Sequence, residues 1–194
     1  LINQTYQLNL ENKGIPPQNT IAALTILSKA TGLEGLVGGQ EKDLKGETKD
    51  INELKRFYAK KSGGLYAISA AIGGILFNAN KEETSLLFNY GINLGIAYQF
   101  MDDVLDVIGN SKYMGKSTNM DKHKSTSVDI FGIQGAIEES QKIKNKALEN
   151  LSYFGEKADV LKAVSEVIVK PPKIYDKFDF GSIEKYYESN IMQD

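Results

Sequence analysis

The sequence contains no cysteine, and its charged side chains are nearly balanced in sign. The absence of cysteine excludes disulfides and metal sites built on thiolates. Of the 194 residues, 23 are Lys or Arg and 25 are Asp or Glu, which gives a net charge of −2. Because there is also no long run of Lys or Arg, the composition does not indicate a nucleic-acid-binding surface.

Long apolar segments are also absent. The longest such run, residues 65–77, is too short to span a membrane and contains Gly73 and Gly74. The first residues show no secretory signal pattern, so we expect a cytoplasmic protein, with an organelle as the alternative. Because the sequence opens at Leu1 without a Met or a helix cap, we also expect the natural chain to begin earlier.

The sequence does contain three aspartates within an otherwise apolar segment of helix length. At about 100° per residue, Asp102, Asp103 and Asp106 share one narrow face of a helix, on which Gln99 also lies. Four larger side chains lie on the opposite side: Leu94, Tyr98, Met101 and Leu105. The pattern therefore predicts a helix that packs by one face and presents three carboxylates from the other.

Three clustered carboxylates need a compensating charge. Like charges one turn apart destabilise a helix by about 0.2–0.5 kcal/mol per pair when nothing compensates. Mg²⁺ does compensate, since it prefers carboxylate oxygens together with water and the phosphates of a substrate. The alternative is a solvated acidic face, which is common on helices. No Lys or Arg lies within a helical turn of the three aspartates, so the pattern favours the metal.

The rest of the chain predicts helices separated by turns, with no β-hairpin signal. Helices are predicted from Asn19 or Thr20 to Gly32, from Asp50 to Lys61, from Leu65 to Ala79, from Glu82 to Ile108, from Val128 to Leu151 and from Glu156 to Val169. The segment 62–64, Ser-Gly-Gly, is expected to separate the second helix from the third. An apolar helix such as residues 65–79 needs partners on most sides, so the predicted fold class is all-α, a multi-helix bundle.

Two further segments carry polar residues suited to a ligand. Residues 33–44 contain three glycines at helical spacing, which indicates close approach of another backbone or a ligand, and they include Gln40 and Asp43. Residues 110–126 are polar and contain four lysines, among them Lys116 and Lys124. These lysines predict either a lid that contacts phosphate or an ordinary exposed loop.

Together these segments resemble the trans-isoprenyl diphosphate synthases, the family of farnesyl and geranylgeranyl diphosphate synthases. Residues 98–106, Tyr-Gln-Phe-Met-Asp-Asp-Val-Leu-Asp, resemble the second aspartate-rich motif of that family. Residues 38–44 resemble its Gly-Gln-x-x-Asp-Leu segment, and residues 61–63 resemble its Lys-Thr-Gly motif with serine in place of threonine. Residues 115–126 resemble its lysine-rich lid, and the likeness runs from about residue 1 to residue 170.

The resemblance implies an isoprenoid synthase bundle, usually dimeric, that binds an allylic diphosphate and isopentenyl diphosphate and joins them into a longer prenyl diphosphate. It implies that Asp102, Asp103 and Asp106 bind Mg²⁺, which bridges the allylic diphosphate. The residues with implied substrate-binding roles are Gln40, Asp43, Lys61, Ser62, Gln99, Lys116 and Lys124. The catalytic candidates among them are Lys61, Ser62, Gln99 and Lys116.

The sequence also departs from the family pattern. The family's first aspartate-rich motif is not found, so residues 1–170 are expected to be the C-terminal part of one isoprenoid synthase domain, and residues 171–194 a tail without a counterpart. Tyr98 replaces the family's phenylalanine, and Asn119 replaces a glycine of the lid. The leading interpretation is a prenyltransferase, of which this chain carries only one of the two motifs. We expect it to be a homo-oligomer or a hetero-oligomer. The alternatives are a non-catalytic regulatory subunit of a heteromeric synthase and a class I terpene cyclase, and the lysines disfavour the cyclase.

Overall fold

The computed structural model describes residues 6–7, 10–32, 50–108 and 126–171. Regular structure in these ranges is helical throughout and includes no β-strand, which confirms the all-α prediction. The helices are α1 (Pro17–Thr31), α2 (Ile51–Tyr58), α3 (Gly64–Leu76), α4 (Lys81–Ile108), α5 (Ser127–Leu151) and α6 (Asp159–Ile168). A π-helical turn, Ala59–Gly63, joins α2 to α3, and a 3₁₀ turn, Ser152–Ala158, joins α5 to α6. No helix in the described ranges has both the length and the apolar character needed to cross a membrane.

Local capping chemistry sets several of these helix ends. The Asp50 side chain accepts hydrogen bonds from the backbone N–H groups of Asn52 and Glu53, which confirms the predicted start of α2. Thr126 and Asp129 form a reciprocal capping box at the start of α5. Helix α1 begins at Pro17, before the predicted caps, because the fixed φ of proline suits the first helical position.

Helix α4 lies at the centre of the described fold and packs most extensively against α5 and then against α3. The main core contains the following fully buried large side chains: Leu54, Leu94, Phe100, Met101, Val104, Ile133, Leu151 and Val169. A smaller core joins α1 to α3 through Ala23, Leu27, Ile68 and Ile72. The helix that carries the three aspartates is therefore held on several sides by the bundle.

The chain continues as helix through residues 62–64, so the predicted interruption there is wrong. Gly63 and Gly64 both have helical backbone angles, with φ and ψ of −56° and −40° for the first and −57° and −43° for the second. The irregularity is instead the wider π-helical turn. Residues 54, 58, 63, 67 and 71 are all buried, and their spacing is four residues except across the turn, where it is five. The turn thus keeps one buried face continuous from α2 into α3.

The buried face of α3 approaches α4 so closely that side chains are excluded between them. A Cβ atom placed on Gly91 would lie 2.4 Å from the Cα atom of Ala67. A Cβ atom placed on Gly95 would lie 2.5 Å from the Cα atom of Gly63. Only glycine permits such backbone contact. We call the contact of Gly63 and Ala67 with Gly91 and Gly95 the glycine crossing, and it brings the π-helical turn against the middle of α4.

Candidate active site

The glycine crossing places Ser62 beside Gln99, one turn along α4 from Gly95. The Ser62 Oγ atom donates a hydrogen bond to the Oε1 atom of Gln99 at 2.8 Å. The amide nitrogen of Gln99 therefore faces the carboxylates, and it donates to Oδ2 of Asp102 at 3.2 Å and to Oδ1 of Asp103 at 3.4 Å. Both ends of this buried amide are used, so its orientation is defined.

The three aspartates differ in their exposure to solvent, although the sequence predicted one face that presents all three carboxylates. Asp103 is buried, with 8% of its surface exposed, whereas Asp102 is half-buried and Asp106 is exposed. Helix α5 covers the side of α4 on which Phe100 and Val104 lie, and Asp103 is at the edge of that covered side. The predicted packing residues Leu94 and Met101 are buried as expected, but Tyr98 and Leu105 are only half-buried.

Asp103 is the centre of a buried hydrogen-bond network that joins three helices. Its Oδ2 atom accepts the Tyr58 hydroxyl, the Ser127 hydroxyl at 2.7 Å and the Ser127 backbone N–H at 2.8 Å. The same Ser127 N–H also lies 3.2 Å from the Tyr58 hydroxyl oxygen. Tyr58 is the last residue of α2, and Ser127 is the first residue of α5. One carboxylate thus connects the end of α2, the C-terminal part of α4 and the start of α5.

Burial raises the pKa of both Asp103 and Tyr58 in this network. Burial raises the pKa of Asp103, whereas the hydrogen bonds from Ser127, Tyr58 and Gln99 lower it, and the net pKa lies above its ordinary value. Burial, together with the nearby charge of Asp103 and the hydrogen bond to it, raises the pKa of Tyr58 far above its ordinary range. Tyr58 therefore remains a protonated donor at any physiological pH.

Two tyrosine hydroxyls lie near the negative charge of the aspartate cluster. The rings of Tyr66 and Tyr98 lie 5.8 Å apart between their centroids. Burial raises the pKa of the Tyr98 hydroxyl, and the charges of Asp102 and Asp106 raise it further. Burial, Tyr98 and Asp102 raise the pKa of Tyr66. Burial and the aspartate charges therefore both keep these two hydroxyls protonated.

The donor set fits a Mg²⁺ ion that is shared with a phosphate-bearing ligand. Among the described residues, no group of three or more carboxylate or imidazole side chains is arranged to hold a metal by itself. Asp102 and Asp106 are one helical turn apart and retain accessible surface, so both can offer oxygen to an ion. Proteins commonly bind Mg²⁺ through one or two carboxylates, with waters and phosphate oxygens completing the octahedron.

The structure brings some of the predicted site residues together and does not describe others. Lys61 and Ser62 both lie in the π-helical turn, where Lys61 is half-buried and its Nζ atom is 5.8 Å from the centroid of the Phe57 ring. Ser62, Gln99, Asp102 and Asp103 form one hydrogen-bonded group. The predicted residues that lie outside the described ranges are Gln40, Asp43, Lys116 and Lys124.

The sequence analysis missed Tyr58 and Ser127. Tyr58 follows Leu54 by one turn on the buried face of α2, so its hydroxyl needed a buried partner. A buried tyrosine with no assigned hydrogen-bond partner was therefore a signal that could have identified Tyr58. Ser127 had no comparable signal, because a serine at the start of a helix normally only caps it.

Comparisons with known proteins assign the chain to a family. Residues 1–169 match the family model described as polyprenyl synthetase. The dimethylallyltranstransferase of Fischerella ambigua (strain UTEX 1903) is 33% identical over 165 residues, which cover 82% of this chain and 48% of that protein. The chain thus spans about half the length of this curated relative.

Solved structures show the same fold. An FPP/GFPP synthase from Zymomonas mobilis superposes with a TM-score of 0.73 at 27% identity, covering 86% of this chain and 57% of that one. A geranyltransferase from Helicobacter pylori, complexed with magnesium and isoprenyl diphosphate, superposes with a TM-score of 0.71 at 22% identity, covering 86% and 56%. The second likeness shows the fold alone. Together with the family model, these matches confirm the predicted resemblance, and the chain belongs to the polyprenyl synthetase family.

Proposed function

We propose that this chain is the C-terminal part of a prenyltransferase that condenses an allylic diphosphate with isopentenyl diphosphate. The observation that supports the proposal best is the hydrogen-bonded array of Ser62, Gln99 and Asp102, which the glycine crossing assembles beside the π-helical turn that carries Lys61. Hydroxyl, amide and carboxylate groups meet in this array, and Lys61, which carries an ammonium group, directly precedes Ser62 in the turn. These are the groups needed to bind and ionise a diphosphate ester.

We further propose that Asp102 and Asp106 hold Mg²⁺ together with the diphosphate. The accessible carboxylates support this, as does the Helicobacter pylori protein of the same fold, which was solved with magnesium and isoprenyl diphosphate. When bound, the ion stabilises the negative charge that develops on the diphosphate leaving group. Asp103 was also a predicted ligand, but it is buried and its carboxylate accepts hydrogen bonds from Tyr58 and Ser127.

The chain's own residues would supply binding, orientation and exclusion of water. The Lys61 ammonium would neutralise diphosphate charge, and Lys116 and Lys124 would do the same from the segment that follows α4. Ser62 and Gln99 would orient the Asp102 carboxylate and line the site. Gln40 and Asp43 would line it from the glycine-containing segment. Apolar surroundings would keep water away from the allylic cation until the double bond of isopentenyl diphosphate attacks it.

The length of the chain relative to its relatives shapes the proposal. Because it spans about half of the curated relative it matches, we propose that residues 1–170 form part of a single isoprenoid synthase domain. The remainder of the site, including the first aspartate-rich motif, would come from further sequence or another chain, and an oligomer is expected. The second candidate is a non-catalytic regulatory subunit of a heteromeric synthase, which the departure from the family's lid pattern at Asn119 would suit.

Prenyl transfer and ligand binding by the purified chain test the proposal. The chain is supplied with isopentenyl diphosphate, dimethylallyl diphosphate and Mg²⁺, and binding of the allylic diphosphate is followed by calorimetry. Product formation supports the enzyme, and binding without product supports the subunit. Absence of Mg²⁺-dependent binding contradicts both.

Asp102→Ala should remove that binding while leaving helicity unchanged, and Lys116→Ala should weaken it without affecting the fold. Glu149→Gln, an exposed acidic position on α5, is the control and should change neither.

A further inference from the structure

Of the three aspartates on α4, Asp103 alone is buried, and its carboxylate accepts hydrogen bonds from both α2 and α5. We propose that Asp103 is not a metal ligand but a positioning residue, which sets α4, with its Asp102 carboxylate, against the turn that carries Lys61. The catalytic part of this proposal rests on the functions proposed above for Asp102 and Lys61. Its structural part, that Asp103 holds the end of α2 and the start of α5, stands on geometry alone.

The oxygens of Asp103 are already engaged by protein donors. Oδ2 accepts two hydroxyls and one backbone N–H, and Oδ1 accepts the amide of Gln99. A metal ion on Oδ2 would displace Tyr58 and Ser127, whose donors would then be buried without acceptors. Leaving such groups unpaired in an interior is strongly unfavourable. With only 8% of its surface exposed, Asp103 also cannot share its ion with water as Mg²⁺ requires.

The positions of the two donors explain what the network controls. Tyr58 directly precedes the π-helical turn, so its hydroxyl anchors the turn three residues before Lys61. Asp103 directly follows Asp102 on α4, so the same contact fixes the carboxylate helix. Ser127 anchors the start of α5 at the same oxygen. The separation between the ammonium-bearing turn and the carboxylate-bearing helix is therefore set at Asp103.

Binding of inorganic pyrophosphate to the full chain, measured by calorimetry over a range of Mg²⁺ concentrations, separates a ligand from a positioning residue. Asp102→Asn should raise the Mg²⁺ concentration for half-maximal binding by about tenfold or more, equivalent to about 1.4 kcal/mol. Tyr58→Phe and Asp103→Asn should instead weaken pyrophosphate binding at saturating Mg²⁺ and leave the Mg²⁺ midpoint within about twofold of wild type. A midpoint that shifts as much in Asp103→Asn as in Asp102→Asn overturns the proposal.

Hydrogen exchange at the Ser127 amide gives a readout that does not depend on ligand binding. The first N–H groups of a helix have no intrahelical acceptor, so protection of this amide must come from Oδ2 of Asp103 at 2.8 Å and the Tyr58 hydroxyl at 3.2 Å. We expect it to exchange more slowly than the amide of Asn52, whose cap Asp50 is exposed. Tyr58→Phe should accelerate exchange at Ser127 and leave Gly95 unchanged.

The two measurements together distinguish failure of the inference from failure of the proposed function. If the wild-type chain does not bind Mg²⁺ and pyrophosphate, the proposed function fails, and the exchange rates alone decide the structural part. Rapid exchange at Ser127 in the wild type, or no change in Tyr58→Phe, overturns that part. If Asp103→Asn does not fold, Tyr58→Phe carries both tests, because it removes one hydroxyl and retains the ring that packs on Phe100.

Discussion

Helix α4 contacts the arm formed by α2 and α3 in two different ways along its length. Around Gly91 and Gly95 the contact is between backbones, and there is no space for side chains. From Gln99 to Asp103 the contact is made by polar side chains that donate and accept specific hydrogen bonds. The first contact sets how close the helices come. The second depends on that closeness, so the geometry of the candidate site depends on the glycines one and two turns away.

The largest expected effect comes from adding a side chain at the glycine crossing. Gly91→Val places a branched side chain against the backbone of Ala67, and we expect the free energy of unfolding to fall by about 3 kcal/mol or more. Chemical denaturation measures the loss. Gly73→Ala is the matched control, because a Cβ atom there has no neighbour within 4 Å, and it should stabilise α3 by about 0.5–1 kcal/mol. Equal tolerance at the two glycines would refute the crossing.

A smaller effect is expected from removing one donor of the buried network. Ser127→Ala deletes the hydroxyl 2.7 Å from Asp103 but retains the backbone N–H. Loss of a hydrogen bond to a carboxylate should lower the free energy of unfolding by about 1.5–3 kcal/mol. A loss that becomes negligible when Tyr58 is already Phe would show that the two donors act together. An unchanged unfolding midpoint in the single variant would contradict the network.

The contact between Ser62 and Gln99 should matter less for stability than for orientation. Ser62→Ala removes the donor to Oε1 of Gln99, and we expect a loss of about 1 kcal/mol in the free energy of unfolding. Ser62→Thr retains the hydroxyl and is the control, with a smaller loss. Binding of inorganic pyrophosphate in the presence of Mg²⁺ should fall in the alanine variant and persist in the threonine variant. The reverse order would argue against a role for the hydroxyl.

The smallest effect is expected at a polar contact that reaches solvent. Lys55 and Glu139 join α2 to α5 through an ion pair of 2.5 Å, with 31% and 16% of the two side chains exposed. Burial raises the pKa of Glu139, but the hydrogen bond and charge of Lys55 lower it more, and the net pKa lies below 4.5. Lys55→Met should therefore reduce stability by under about 1 kcal/mol at neutral pH.

The pH dependence of that difference tests its electrostatic origin. Because folding lowers the pKa of Glu139, the ion pair contributes fully above pH 4.5 and its contribution is lost as the pH falls through the folded-state pKa. The unfolding curves of wild type and Lys55→Met, measured at neutral pH and at acidic pH, should converge at low pH. A difference that persists in acid would indicate lost packing of the lysine stem instead.

The sequence predicted the long elements of the fold better than their contacts. The periodic patterns of α4 and α5 and the cap at Asp50 were sufficient to predict where these helices lie. The π-helical turn was not predicted, because a glycine pair is compatible with both a break and a close helix crossing. Helical angles correctly grouped the aspartates, but Asp103 at roughly 40° lies at the edge of the side that α5 covers. Which helix covers a face depends on the whole topology.

The π-helical turn makes the number of residues between Tyr58 and Gly63 as important as their identity. Five steps separate these buried residues, where an α-helix would use four. If these five steps were wound as an ordinary α-helix, everything before them would rotate by about 100° relative to α4. Tyr58 would then face away from Asp103 although every side chain in the network was still present. The wider turn therefore aligns the two halves of the site, because it accommodates one additional residue while Tyr58 and Ser62 both still contact α4.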